Sequence, residues 1–529
     1  MKTSLSLTIS LAFGILPVAT FGFTAENDSE WIRGEYIAKL KEKTSIKTLE
    51  SLNIQGFQTT VLSSELGFIR ITAPQSDSDK KDLANLEQNP NFEYVEKNYS
   101  LKLIDNKIPH HAVPRVNTPQ WALEKIEAEK AWQHGTGSID VIVAVVDTGI
   151  DFEHYELVGR LWSGKNARGE TIHGYNAISN DNQARDDHGH GTHVAGVIGA
   201  NPANNNGIKG LNWKLRLMGI KFLNKEGSGS TASAIKGLEW AVKNGAQILN
   251  NSWGGGAYSR ALNDTIRWIE EQGVLFVAAA GNEKQNLDST PSYPASYGYK
   301  NMIVVAALDE KNRLASFSNY GKKSVDIAAP GSNILSTVLN NKFDSWSGTS
   351  MAAPHVSGVL ALLKAKYPSD DYSDLKGRLI KGVTYEAPLK RKVANNGASL
   401  NAYKALSGQY SDIPFDPPED SWSPLRNVHI ASPSPYPLNY TESWELQHSG
   451  AKYIKIYFKQ FEVEKGYDFL RLYDRRKQLV DELSGSYYDG LWSVTIPGDF
   501  VKLTLSTDKM ISKKGFVVTG YKTSNAIAE

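Results

Sequence analysis

The apolar, β-branched run Val141-Ile142-Val143-Ala144-Val145-Val146, closed by Asp147, constrains this chain more than any other feature. Such residues favour strands, and a strand without polar alternation must be covered on both faces. A second run, Val274-Leu275-Phe276-Val277-Ala278-Ala279-Ala280, ends on Gly281-Asn282-Glu283. Strands alternate with helical stretches to about Leu406, so the expected fold class is α/β, a mostly parallel sheet flanked by helices. Ligand sites in such sheets gather at the carboxyl ends of strands. Asp147 and Asn282 both sit there.

Two further segments carry chemistry. Gly348-Thr349-Ser350-Met351-Ala352-Ala353-Pro354-His355 puts a serine between small residues where a helix should begin, and His188-Gly189-His190-Gly191-Thr192-His193 precedes the helical stretch Val194 to Ala200. A serine hydroxyl needs an adjacent base, imidazole can take and return the proton, and a carboxylate can fix the ring's tautomer. Asp147, a histidine and Ser350 supply that set in the chain order associated with subtilisin. Closely spaced histidines can also hold zinc, so the cluster has a competing metal reading.

These segments, and most of the chain between them, resemble the subtilisin-like serine protease family. The resemblance implies that His190 is the base, that His193 is structural, and that Asn282 donates to the developing oxyanion together with the backbone N–H of Ser350. Taken alone, Asn282 would read as a turn former. Gly227-Ser228-Gly229 and Ser252-Trp253-Gly254 are similar to the two extended segments between which the family holds a peptide as an added strand. Those glycines suggest an open cleft with broad cleavage and a preference for apolar or aromatic residues before the scissile bond. Tyr293-Pro294 matches a family turn that commonly carries a cis bond.

At 529 residues the chain has room for about three domains, and its 22% charged fraction and net charge of +1 give no global argument for nucleic acid or an anionic membrane as partner. It contains no cysteine, which excludes disulfides and thiolate metal sites. Met1-Lys2-Thr3-Ser4 followed by the apolar run Leu5 to Val18 reads as a secretory signal peptide over 1–22, with a membrane anchor as the alternative. No later segment is long and apolar enough to span a bilayer, so release from the cell is expected.

Residues 23–105 form a distinct unit. Gly34 to Leu40 and Phe68 to Thr72 alternate as strands, and Thr44 to Leu52 and Lys80 to Gln88 carry helical spacing. Its end, Phe92 to Tyr99, is similar to the close of the family's inhibitory propeptides, which implies a domain that assists folding and plugs the site until cut away; a generic α+β domain is the alternative. The catalytic domain is expected over 106–410, starting near Gln120-Trp121-Ala122-Leu123, and Pro- and Asp-rich residues 411–426 read as a linker.

Over 427–523 short alternating runs, among them Tyr453 to Phe458, Phe469 to Tyr473 and Val501 to Leu505, suggest a β-sandwich. This part resembles a CUB domain through Ile430-Ala431-Ser432-Pro433, Trp444, Tyr467-Asp468-Phe469-Leu470 and Gly515-Phe516, without the disulfides many such domains carry. The resemblance places Glu464, Asp468 and Asp508 at calcium-binding positions, with solvated surface carboxylates as the alternative. Catalysis itself calls for no cofactor.

The expected function is a secreted serine endopeptidase made as a zymogen. It would act on proteins or peptides, be inhibited by its own N-terminal domain, and carry a C-terminal domain whose ligand the sequence does not name. A transpeptidase on the same fold, or a catalytically silent binding protein, are the alternatives. Fold alone does not separate them.

Overall fold

The computed structural model describes residues 30–41, 54, 56–73, 79–104, 106–110, 120–201, 207–410, 417–488 and 490–526. The expected signal segment and the helix expected over Thr44 to Leu52 lie outside them. At the centre is a nine-stranded sheet in the order Val383–Tyr385, Ala398–Leu400, Ile327–Pro330, Met302–Leu308, Leu275–Ala279, Ile248–Asn251, Gly137–Asp147, Lys214–Lys221 and Gly174–Asn176. All neighbours pair in parallel except the first two strands.

The run around Val143 shows why its polarity does not alternate. Val141, Val143 and Val145 belong to one buried core with helices His190–Gly199 and Thr349–Lys366, whereas Ala144 and Val146 belong to a second core with helices Thr231–Lys243 and Arg260–Glu271. Both faces of the strand are dry, so each must be apolar. The strand ends where its next side chain, Asp147, enters the site.

The N-terminal domain is an antiparallel sheet of Trp31–Leu40, Gln58–Ser63, Phe68–Thr72 and Phe92–Leu103, with helix Asp79–Glu87. Its last strand continues past its own sheet. Ser100–Lys102 pairs antiparallel with Ser228–Ser230, and Lys102–Leu103 pairs antiparallel with Trp253–Gly254. The N-terminal domain thereby lends one strand to the catalytic domain.

Docking is also held by side chains. Glu96 accepts from the Ser259 hydroxyl at 2.6 Å and from the amides of Arg260 and Ala261 at 2.7 and 3.2 Å, which caps helix Arg260–Glu271. Asn98 accepts from the Ala232 amide at 3.0 Å at the start of helix Thr231–Lys243. A carboxylate or amide oxygen at a helix start satisfies donors the helix leaves open.

The C-terminal part is a sandwich of two antiparallel sheets around its own core, which includes Phe458, Leu470, Leu503 and Phe516. Part of the segment 411–426, expected as a linker, packs on the sandwich. Residues 411–416 lie outside the described part, but Trp422 is buried beneath Lys455, whose ammonium is 4.3 Å from the ring centroid, and the Ser423 amide donates to Thr523 O at 2.8 Å. An indole gains more from burial against the sandwich than from solvent, so this end of the segment packs.

Among the described residues no helix is long and apolar enough to cross a membrane. Phe276 is fully buried between the sheet and its outer helices. Phe276→Ala, placed in a Ser350→Ala background to prevent self-digestion, should lower the unfolding free energy by about 3–5 kcal/mol in urea denaturation.

Candidate active site

Asp147 ends its strand with the carboxylate turned into the protein, and His190 opens its helix directly opposite. His190 Nδ1–H donates to Asp147 at 2.8 Å (Oδ1) and 3.0 Å (Oδ2), and the Thr148 amide donates to Asp147 Oδ1 at 2.7 Å. Both side chains are fully buried. The close approach needs a glycine after the histidine, because a Cβ at Gly191 would stand 2.0 Å from Gly149 O.

Asp186, four residues before His190, was not singled out by sequence reasoning. One of its oxygens accepts from the Thr148 hydroxyl at 2.8 Å and from the His188 and Gly189 amides at 2.9 Å; the other accepts from the amide and hydroxyl of Thr192 at 2.9 and 2.6 Å. A buried carboxylate thus ties the strand end to the helix start. An acidic residue just ahead of a helix N-terminus is the signal that could have flagged it.

Ser350 lies in the first turn of helix Thr349–Lys366, its hydroxyl donating to Ile104 O and placed 3.1 Å from Ser252 O. Asn282 Nδ2 donates to the same Ile104 oxygen at 3.2 Å. Asn282 is itself oriented, since its Oδ1 accepts from the Thr349 amide and hydroxyl at 3.0 and 3.1 Å. Thr349 was also missed in the sequence. A Cβ on Gly348 would sit 3.2 Å from Asn282 Nδ2 and 3.5 Å from Ile104 O, so glycine keeps this pocket open.

The predicted substrate segments flank strand Phe92–Leu103 as an added strand requires. Gly227 O accepts from the Leu103 amide at 2.9 Å, and Ser228, Gly229 and Gly254 take part in the pairing. Two of the predicted residues act differently from expectation. Trp253 contributes only its backbone, because its ring is fully buried against Phe222 at 4.9 Å and does not line the cleft. The Ser252 hydroxyl donates to Ser350 O at 3.0 Å, so it braces the helix start. The Tyr293–Pro294 bond is cis.

His193 lies flat on Trp346, with ring centroids 4.8 Å apart, and its Nε2 is 3.0 Å from Ile334 O. Burial, reinforced by the charge His190 would carry, pushes its pKa down from 6.5 to about 3. A neutral imidazole donating to a main-chain carbonyl fits a structural group, and among the described residues the one group of three potential metal ligands is not the histidine cluster but lies in the sandwich.

Far from the cleft, Glu464, Asp468 and Asp508 meet at one end of the sandwich with ligand oxygens within 4.8 Å of one another. Asp468 Oδ1 accepts from the Asp508 amide at 2.8 Å, and its other oxygen accepts from the Tyr436 hydroxyl. Partial desolvation, then Asp508 and Asp468, raise the Glu464 pKa. Its Oε2 is buried without a hydrogen-bond partner.

Comparison with known proteins now decides the family. The subtilase family model matches residues 138–403, and the CUB domain model matches residues 426–519. The chain belongs to the subtilase family. Minor extracellular protease Epr of Bacillus subtilis is 34% identical over 387 residues, covering 72% of this chain and 55% of that protein. Thermostable alkaline protease of Halalkalibacterium halodurans is 33% identical over 387 residues, covering 73% and 95%. Subtilisin E of Bacillus subtilis is 32% identical over 389 residues, covering 72% and 94%. This subtilase is a serine endopeptidase, so the silent binding protein falls away.

Two predictions arise from the site. Asp186→Asn removes the charge but not the shape of the helix cap, and kcat should fall about tenfold with KM little changed, the scale of a partly buried charge at a helix start; steady-state kinetics reads the split. His193 has a lower pKa folded than unfolded, so the unfolded chain binds more protons. Its stabilising contribution is therefore full above about pH 6.5 and is lost as pH falls toward about 3. His355, buried and lowered to about 4, acts in the same direction. Denaturation of Ser350→Ala protein at pH 7 and pH 5 should show lower stability at pH 5, and His193→Gln should flatten that slope.

Proposed function

We propose that this subtilase is made as a secreted zymogen whose first substrate is its own peptide bond after Ile104. One observation carries the reading. The carbonyl of Ile104 ends an inserted antiparallel strand and accepts hydrogen bonds from both the Ser350 hydroxyl and Asn282. A scissile carbonyl needs a nucleophile and an oxyanion donor at the same oxygen and carbon, reached from a backbone held by the enzyme.

In the proposed reaction Ser350 Oγ attacks the Ile104 carbonyl carbon while His190 Nε2 takes its proton. Asp147 holds the ring tautomer and stabilises the imidazolium. Asn282 and the Ser350 amide hold the charge that forms on oxygen. Collapse breaks the bond to Asp105, His190 returns the proton to the departing amine, and water then releases the acyl group by the same steps in reverse order of roles. The cut falls one residue before the 105/106 boundary drawn from the sequence. Ile104 is aliphatic, which supports a preference for apolar residues at this position.

Secretion is supported by the apolar N-terminal run and by the name of one relative, a minor extracellular protease. Calcium is the ion we assign to Glu464, Asp468 and Asp508, since hard oxygen ligands from separate loops suit it and the unpartnered Glu464 oxygen is free to ligate. Bound calcium would fasten a sandwich that has no disulfide.

Asn282→Ala should leave folding intact and lower kcat by about 10² to 10³-fold on a peptide substrate, the usual scale for one oxyanion donor; a loss under about threefold would refute the assignment, given that scale. The whole chain carrying Ser350→Ala should show a sandwich transition at higher temperature in calcium than in chelator, and Asp468→Ala should abolish the difference. Equal melting in both would reduce the three carboxylates to surface groups.

A further inference from the structure

A cleft of about 420 Å³ lies between the catalytic domain and the sandwich. Both domains build it. Lys322, Lys390 and Arg391 come from the catalytic side, and Lys455 and Lys522 from the sandwich, with Glu419 as the single carboxylate among its walls.

Charges of one sign do not gather in an interface without cause, because like charges resist docking. Arg391 is accounted for: it forms an ion pair with Asp481 at 3.0 Å and donates to Trp492 O at 2.6 Å, which fastens the two domains. Lys455 has the mostly exposed Glu419 at 3.8 Å. Lys322 and Lys522 have no carboxylate within ion-pair distance among the described residues, and the Lys522 ammonium rests 5.6 Å from the Trp492 ring. The next cation along, Lys392, has its pKa lowered first by burial and then by Lys465 and Arg391, another sign of crowded positive charge.

A second, independent observation points into the cleft. Thr495 lines it and is only 6% exposed, yet its hydroxyl has no hydrogen-bond partner. A buried hydroxyl left unpaired is costly, and a ligand oxygen would satisfy it.

We propose that this cleft binds a small phosphate- or sulfate-bearing anion, of about the size of one sugar unit, and that the bound anion ties the sandwich to the catalytic domain. Lysines from both sides neutralise it. The Thr495 hydroxyl donates to it from the cleft wall. The cleft is too large for one inorganic ion alone, so the charged group would be carried on a sugar or on a second phosphate.

Isothermal titration of the full chain carrying Ser350→Ala, in low salt, tests this with inorganic pyrophosphate, glucose 6-sulfate and unmodified glucose as probes. One anion should bind with one-to-one stoichiometry and glucose should not. Tighter binding of pyrophosphate would assign a free phosphate, and tighter binding of glucose 6-sulfate a sulfated glycan unit. The double variant Lys322→Ala/Lys522→Ala should weaken that binding at least about tenfold, and Thr495→Val about threefold or more, the scales of charged and neutral contacts. Lys165→Ala/Lys311→Ala, on remote exposed surface, should leave it unchanged. No binding by either anion, or equal weakening by the remote pair, would overturn the proposal.

Discussion

The backbone pairing of strand Phe92–Leu103 with Ser228–Ser230 on one side and Trp253–Gly254 on the other is the contact on which the rest of this structure depends. It joins two domains through a single strand, and it delivers the carbonyl of Ile104 to the nucleophile. Main-chain hydrogen bonds give such a strand affinity with little regard to side chain, and the flanking caps at Glu96 and Asn98 fix its register. On the proposed reading, inhibition and self-cleavage share one geometry, because the strand that would block the cleft also presents the bond the cleft would cut.

Around that carbonyl, the chemistry is held by helix starts. His190 and Ser350 both stand in the first turn of a buried helix, and each turn is braced by a residue outside the reacting set, Asp186 for one and Thr349 for the other. Fixed donors need no rearrangement as charge develops, which is the advantage of a preorganised site over water. Glycines at 191 and 348 permit the approach by leaving no side chain where one would collide with Gly149 O or crowd Asn282.

Much of this was legible because the constraints are local. The doubly buried strand before Asp147 could be read from its uninterrupted β-branched residues, and the small residues around Ser350 from the helix start they allow. What escaped were contacts made across the sequence. Asp186 and Thr349 look ordinary until the fold brings Thr148 and Asn282 to them, and Trp253 looks like a cleft residue until its ring is seen packed on Phe222. Trp422, inside the segment read as a linker, is a similar case: its packing under Lys455 and beside the last strand of the sandwich is a long-range contact. The destination of strand Phe92–Leu103 is another long-range fact that no periodicity encodes.

The measurement that tests the central claim most directly is the N-terminal sequence of enzyme matured from purified, refolded precursor with no other protease present. Cleavage directed by the Ile104 carbonyl predicts a first residue of Asp105 in the earliest product, with a released fragment ending in Ile104 by mass. An earliest product beginning elsewhere, or a precursor that stays whole until a second protease is added, would contradict the account.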